Sequence, residues 1–227
     1  MSLASKTWFV IPAHNEETTI GKVISPIVEA GFNVVVVDDH SSDKTKNKAL
    51  ENGAWAVTHP INLGQGAAIQ TGMSFALNHD AEVIVTFDAD GQHQLTDALS
   101  MMDELKNKSV DLVLGSRFLE GKPSSMPNSR FYILKLAVLF TRVTSRIRVT
   151  DTHNGLRVMT ANAASKIYLH QNRMAHASEI LSQIRKQSLS FVEYPTDVKY
   201  TTYSLSKGQR SSNLISILFE LVMGKFK

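Results

Sequence analysis

Short apolar runs alternate with longer amphipathic segments along the first half of the chain. Runs such as 33–39 and 83–87 are rich in Val, Ile and Phe, which favour strands buried on both faces. The predicted strands are 7–12, 33–39, 54–59, 83–87 and 110–117, and the predicted helices are 16–31, 41–53, 64–79 and 95–108. This alternation predicts an α/β fold with a mostly parallel central sheet and helices on both faces.

The second half departs from this rhythm. A long apolar segment with basic residues interspersed is followed by a polar turn and shorter elements. The predicted elements here are helices at 128–148, 161–168, 176–187 and 213–226, and a strand at 190–200 that Pro195 interrupts. Because the sequence contains no repeat and no linker, we predict one domain over residues 1–227 that ends in an amphipathic helix.

Composition narrows the class of protein. The chain has 227 residues, 43% of them hydrophobic and 20% charged, and contains no cysteine, which excludes disulfides and thiolate metal sites. The N-terminus lacks the apolar core of a signal peptide. No uncharged apolar run reaches the roughly 18 residues that a transmembrane helix requires. We therefore expect a cytoplasmic protein.

Charge is divided unevenly between the two halves. Residues 1–116 carry 7 Lys and Arg against 15 Asp and Glu, whereas residues 117–227 carry 17 against 6. The net charges are therefore −8 and +11. An acidic first half suits the binding of cations, and a basic second half suits phosphate groups or an anionic surface.

Polar side chains follow three of the predicted strands, at the point where each strand ends. Asn15 and Glu16 follow the first strand, Asp39 ends the second, and Asp88 and Asp90 follow the strand at 83–87. The carboxyl ends of parallel strands meet at one edge of a sheet, which is where ligands bind in such folds. Two carboxylates one residue apart suit Mg²⁺ or Mn²⁺. A lone Asp-x-Asp is weak evidence, and a solvated acidic turn is the alternative.

The ordered motifs resemble those of one family. The chain is similar to inverting family-two glycosyltransferases of the GT-A fold, and most similar to the branch that makes dolichol- or polyprenyl-phosphate mannose and glucose. The resemblance covers roughly residues 7–208. It rests on IPAHNEE (11–17), VVVVDDHSSDKT (34–45), NLGQGAAIQTGM (62–73), DADGQH (88–93), GSRF (115–118), DTHNGLRVM (151–159), VEYPTDVKY (192–200) and YSLSKG (203–208).

The resemblance implies a nucleotide-diphosphate sugar donor, a UDP- or GDP-hexose, and a Mg²⁺ or Mn²⁺ ion. It makes residues 1–116 the nucleotide-sugar and metal half, and residues 117–227 the acceptor half. His14 and His40 depart from the usual pattern of the branch and leave the nucleotide base open. By the resemblance, Pro12, Asn15, Glu16 and Asp39 lie at the nucleotide, Asp88, Ala89 and Asp90 at the donor, and Asp88, Asp90 and Gln92 at the metal, with His93 behind them.

Two classes of acceptor remain open. Polyprenyl phosphate carries an ionised nucleophile, so it needs cations and no general base. A sugar hydroxyl of a cell-envelope glycan or lipid-linked saccharide needs a base to remove its proton. The cation candidates are Arg117, Arg130 and Lys207, and the base candidates are Asp151, His153 and Glu179. We favour polyprenyl phosphate. A non-catalytic nucleotide-sugar-binding protein is a further alternative.

The predicted apolar helices at 128–148 and 213–226 indicate what the chain could bind besides its substrates. Such helices lie at anionic membrane surfaces, pack internally, or form the interface of a homodimer. We expect a protein that is peripheral at the inner face of the membrane or that works with a separate membrane subunit. Nucleic-acid binding is not expected, because the basic half has no recognisable reading motif and few aromatic residues placed for stacking.

Overall fold

The computed structural model describes residues 3–122, 126, 128–171 and 176–197. The described chain folds as seven strands and seven α-helices, preceded by a short 3₁₀ turn at Leu3–Lys6. The strands are β1 Thr7–Ala13, β2 Asn33–Asp38, β3 Trp55–Thr58, β4 Val83–Thr86, β5 Leu112–Ser116, β6 Arg157–Thr160 and β7 Phe191–Pro195. The helices are α1 Ile20–Glu29, α2 Thr45–Glu51, α3 Gln65–Leu77, α4 Leu95–Lys108, α5 Asn128–Ser145, α6 Ala161–Lys166 and α7 His176–Lys186.

All seven strands belong to one sheet, in the order β3-β2-β1-β4-β6-β5-β7. Every neighbouring pair is parallel except the two pairs that β6 makes with β4 and β5. The prediction of a mostly parallel sheet is therefore confirmed. Because β6 runs backwards, its first residue lies at the edge where the parallel strands end. The turn before β6 consequently reaches the same edge as the loops after β1, β2 and β4.

Apolar residues of the sheet are buried on both faces. On one face, Ile20, Ile24 and Ile27 of α1 pack in one core cluster, and on the other Ile69 and Met73 of α3 pack in a second. The helix α3 approaches β1 closely, since a Cβ added at Gly72 would lie 2.3 Å from a Val10 methyl group. The sheet is thus a rigid, dehydrated base for the loops at its edge.

Two helices begin several residues later than predicted, because the loops before them are bound to each other. Asn15 adopts a positive φ of 55°. The N–H of Glu16 donates to Thr45 Oγ1 at 2.7 Å, and the N–H of Ser42 donates to Asn15 Oδ1 at 2.8 Å. These bonds hold the chain after β1 against the chain after β2. As a result, α1 begins at Ile20 rather than at 16, and α2 at Thr45 rather than at 41.

The predicted helix at 213–226 lies outside the described residues, as do residues 198–200 of the predicted last strand. The single domain over 1–227, with its two halves, therefore stays a prediction. None of the helices in the described part of the chain is both long enough and apolar enough to cross a bilayer.

Candidate functional site

A cavity of about 420 Å³ lies at the edge where the parallel strands end. Its wall is formed by the end of β1, the loops after β1, β2, β3 and β4, and the start of α3. The lining residues are Pro12, Ala13, His14, Glu16, Asp39, Asn62, Gly64, Gln65, Ala68, Asp88, Ala89 and Asp90. The structure therefore brings together six of the residues predicted at the donor, although they are up to 78 positions apart in sequence. Asn15 does not line the cavity and instead holds the loop after β2.

Asp39 is buried at the end of β2 with its carboxylate held by three donors. His59 Nδ1 and the N–H of Leu63 lie 2.8 Å from Oδ1, and the N–H of Gly64 lies 2.7 Å from Oδ2. Burial would raise the pKa of Asp39, but the bonds from His59 and the two backbone N–H groups bring that pKa below its ordinary value. Asp39 is thus ionised at neutral pH and fixed against the cavity.

We expect Asp39→Asn to weaken the binding of free nucleoside diphosphate. If Asp39 accepts a hydrogen bond from the nucleoside, losing the charged acceptor should cost about 1–3 kcal/mol of binding free energy. Asparagine is the better test than alanine, because alanine would leave three buried donors without an acceptor. Calorimetric titration measures the affinity. An unchanged dissociation constant would make Asp39 a residue that only holds the 59–64 loop.

Asp88 is fixed in orientation by groups from three segments of the chain. His93 Nε2 lies 2.9 Å from Oδ2, and Gln65 Nε2 lies 3.2 Å from Oδ1. A Cβ added at Gly155 would lie only 2.2 Å from Oδ2, so the turn before β6 touches the carboxylate. Burial would raise the pKa of Asp88, but His93, and after it the positive charges of Arg157 and His176, bring that pKa below its ordinary value.

The pKa of Asp90, which lies beside Asp88, is shifted in the opposite direction. Burial, and next the negative charge of Asp88, raise the pKa of Asp90 to about 6. The N–H of Gln92 donates to Asp90 Oδ1 at 3.0 Å. Within the described residues, no group of three or more His, Asp and Glu side chains could hold a metal ion by itself. Asp88 and Asp90 alone therefore do not form a complete set of ligands for a divalent cation.

The turn that precedes β6 carries polar groups that the protein leaves without partners. Within the described part of the chain, the buried side-chain polar atoms without a hydrogen bond are His93 Nδ1, Thr152 Oγ1, both ring nitrogens of His153, and Arg157 Nη1. Burial lowers the pKa of His153 to about 4, so the ring is neutral. Such atoms are rare in folded proteins, and their concentration beside Asp88 is typical of a ligand site.

Arg117 and Asp151, which sequence reasoning assigned to competing roles, bind each other. Arg117 Nε and Nη2 lie 2.6 and 2.8 Å from the two oxygens of Asp151, and the N–H groups of Arg117 and His153 also donate to that carboxylate. The side chains are only 9% and 1% exposed. Burial would raise the pKa of Asp151, but the charge of Arg117 brings it below its ordinary value. Asp151 is therefore a poor proton acceptor in this arrangement.

Of the three remaining acceptor candidates, Glu179 is the one whose side chain the structure describes, and it lines neither cavity. Glu179 accepts the backbone N–H groups of His170 at 3.0 Å and Gln171 at 2.9 Å, so it holds the chain before α7. Arg130 belongs to α5, but its side chain lies outside the described part of the structure, and so does all of Lys207.

A second cavity, of about 410 Å³, lies where β5 and β7 end, on the same edge of the sheet as the first. Arg117, Lys122 and Thr196 line it together with three carboxylates. Only two strands, β6 and β5, separate the end of β4 from β7. The two cavities thus lie along one edge of the sheet, two strands apart.

Sequence reasoning missed three residues of the site. Gln65 binds Asp88, His59 binds Asp39, and His176 lowers the pKa of Asp88 by its charge. Gln65 could have been found, because it stands within the glycine-rich entry to α3. His59 and His176 stand in segments with no local pattern, and only the fold brings them to the edge.

A comparison with protein families matches the chain over residues 8–164 to the model for Glycosyl transferase family 2. Among curated proteins, it is 36% identical over 221 residues to an uncharacterized protein of Methanocaldococcus jannaschii, covering 95% of this chain and 90% of that one. It is 31% identical over 240 residues to the UDP-N-acetylglucosamine–dolichyl-phosphate N-acetylglucosaminyltransferase of Methanococcus voltae, covering 96% and 95% of the two chains.

Among solved structures, the chain resembles glucosyl-3-phosphoglycerate synthase from Mycobacterium tuberculosis in complex with Mn²⁺, uridine-diphosphate and phosphoglyceric acid. The TM-score is 0.68 at 18% identity, with 96% of this chain and 78% of that chain covered. At this identity the likeness concerns the fold, which is of the GT-A type in both chains.

Proposed function

The chain belongs to glycosyl transferase family 2, and on that premise we propose that it transfers a hexose, with inversion, from a nucleotide-diphosphate sugar to polyprenyl phosphate. The observation that carries the proposal is the cavity at the sheet edge, where Asp39, Asp88 and Asp90 face one space. A relative 31% identical to this chain is named for transfer to dolichyl phosphate, which supports the class of acceptor.

The donor fits the first cavity. A volume of about 420 Å³ lies within the range of small-molecule sites. In this proposal the nucleoside lies near Pro12 and Asp39, and the diphosphate lies near Asp88 and Asp90. The turn that touches Asp88 carries the neutral ring of His153, and Arg157 follows that turn as the first residue of β6. There they supply hydrogen bonds to the donor when it is bound.

The residues present fit a divalent cation. Asp88 and Asp90 are hard oxygen ligands on one wall of the cavity, and the raised pKa of Asp90 reflects burial and repulsion that a cation would relieve. Mn²⁺ is present in the structure of the Mycobacterium tuberculosis synthase, which shares the fold. We propose that Asp88 and Asp90 hold Mg²⁺ or Mn²⁺ together with donor phosphates. When bound, the ion offsets the charge that develops on the leaving nucleoside diphosphate.

The acceptor phosphate needs no general base in this reaction. Its ionised oxygen attacks the anomeric carbon of the hexose, and the bond from that carbon to the diphosphate oxygen breaks with its electron pair on the leaving group. The pairing of Asp151 with Arg117 supports this choice of acceptor, because it makes Asp151, one of the base candidates, a poor proton acceptor. We propose that the acceptor phosphate enters from the second cavity, where Lys122 supplies a cation.

Thermal unfolding with candidate donors tests the first half of the proposal. A ligand that binds only the folded chain stabilises it, by about 2.7 kcal/mol at a hundredfold excess over its dissociation constant. For a chain of this size that corresponds to a rise in Tm of about 5–10 °C. We expect one UDP- or GDP-hexose to raise Tm in the presence of Mn²⁺, and much less so in chelator. If no nucleotide sugar raises Tm under either condition, the donor assignment is wrong.

A further inference from the structure

The helix α5 is apolar on two opposite faces. Its inner face carries Leu134, Ala137 and Val138, which are buried, and packs against α7. Its outer face carries Tyr132, Leu136, Leu139 and Val143, whose exposed fractions are 70%, 54%, 57% and 70%. These four residues, which we call the outer stripe, follow one another at spacings of four, three and four, so they form one continuous line along the helix.

An exposed apolar line of this length is unusual on a surface that only meets water. It is also surrounded by charge of a single sign. Residues 128–149 contain no Asp or Glu and five basic residues, namely Arg130, Lys135, Arg142, Arg146 and Arg148. Arg142, Arg146 and Arg148 are exposed, although Arg142 Nε also donates to the carbonyl of Val149 at 2.7 Å.

We propose that the outer stripe docks on an anionic lipid surface, with its apolar side chains in the interface and the flanking basic residues at the headgroups. The inference rests on the proposed function, because a polyprenyl-phosphate acceptor is presented at a membrane surface. An apolar face with basic flanks is the composition that binds such surfaces. A second copy of the chain fits less well, because two helices that carry basic residues and no acidic ones would repel each other.

The position of α5 connects this surface to the reaction. Phe131, near the start of α5, packs edge-to-face on Phe118 with ring centroids 5.6 Å apart, and Lys135 Nζ lies 5.0 Å from the centroid of Phe118. Phe118 directly follows Arg117, which lines the second cavity. The docked helix therefore holds the loop after β5 close to the lipid surface. In this proposal a phosphate presented at that surface approaches the second cavity, which Arg117 lines.

The test is sedimentation of the full chain with vesicles. We compare vesicles of equal parts phosphatidylglycerol and phosphatidylcholine with vesicles of phosphatidylcholine alone. The double variant Leu136→Asp/Leu139→Asp replaces the centre of the outer stripe. Its matched control is Leu50→Asp/Leu99→Asp, which makes the same changes at exposed leucines on α2 and α4. We expect the wild type and the control to bind the anionic vesicles, and the outer-stripe variant to bind at least about tenfold more weakly.

Two results would overturn the inference. One is equal binding of the outer-stripe variant and the control, or no binding of the wild type. The other is a wild-type dimer in light scattering that the outer-stripe variant converts to a monomer, which would make a second copy the occupant. Transfer to a short, water-soluble prenyl phosphate separates this inference from the proposed function. Transfer that persists while vesicle binding is absent sinks only the inference, and vesicle binding without transfer sinks only the function.

Discussion

Asp90→Asn is expected to lower hexose transfer by at least about a hundredfold, the scale seen when a group that stabilises developing charge is removed. Asparagine keeps the size of the side chain and removes the charge that faces the cavity. A cation held by Asp88 alone would be bound weakly, and the charge of the leaving diphosphate would be poorly offset. Steady-state turnover with saturating donor and Mn²⁺ measures the effect. Undiminished transfer by this variant, or full activity of the wild type in excess chelator, would contradict the metal assignment.

The same variant should be more stable than the wild type in chelator near neutral pH. The pKa of Asp90 in the folded chain is about 6, above its ordinary value. The protonated carboxyl therefore stabilises the fold at low pH, and that contribution is lost as the pH rises through about 6. Asparagine does not ionise, so its Tm should exceed that of the wild type above this pH and match it at acid pH. Loss of activity together with a higher Tm would show that the fold survives.

Replacing either Arg117 or Asp151 is expected to have a large effect on the free energy of unfolding. Removing one partner of a buried, hydrogen-bonded ion pair leaves the other charge buried, at a cost of about 3–5 kcal/mol of stability. We therefore expect Arg117→Met and Asp151→Leu each to lower the free energy of unfolding by that amount in urea titrations. The double variant should lose clearly less than the sum of the two. Additive losses would mean that the two side chains do not interact in solution.

Because Arg117 and Asp151 bind each other, substituting either residue cannot distinguish a phosphate acceptor from a hydroxyl acceptor. Loss of activity in Arg117→Ala or Asp151→Asn would follow from the broken pair whichever acceptor the protein uses. Substitution of Lys122 is better suited to that question, because Lys122 lines the second cavity and donates a hydrogen bond to the neutral side chain of Asn128.

Local patterns were sufficient for the donor side of the site. Buried parallel strands read as continuous apolar runs, and the residues after them fall at one edge by topology alone. For this reason Asp39, Asp88 and Asp90 could be placed together before the structure was known. The starts of α1 and α2 were not predictable, because hydrogen bonds between two loops far apart in sequence decide them.

The acceptor side could not be predicted in the same way. Arg117 and Asp151 are 34 positions apart, and nothing in either segment marks them as partners. They meet because β6 runs antiparallel to β4 and β5. The turn before β6 therefore lies at the sheet edge where the parallel strands end. His59 and Asp39 also meet through the sheet. They directly follow β3 and β2, which are parallel neighbours and end side by side.

The most direct test of the central claim follows a labelled hexose from its nucleotide donor into a lipid extract. The wild type is incubated with the donor that raises Tm, with Mn²⁺ and with polyprenyl phosphate, and Asp90→Asn serves as the inactive control. Polyprenol without phosphate serves as the matched acceptor control. We expect label on the polyprenyl phosphate, from which mild acid releases it, and none on polyprenol. Label found only on a saccharide hydroxyl, or no transfer to polyprenyl phosphate by the folded wild type, would contradict it.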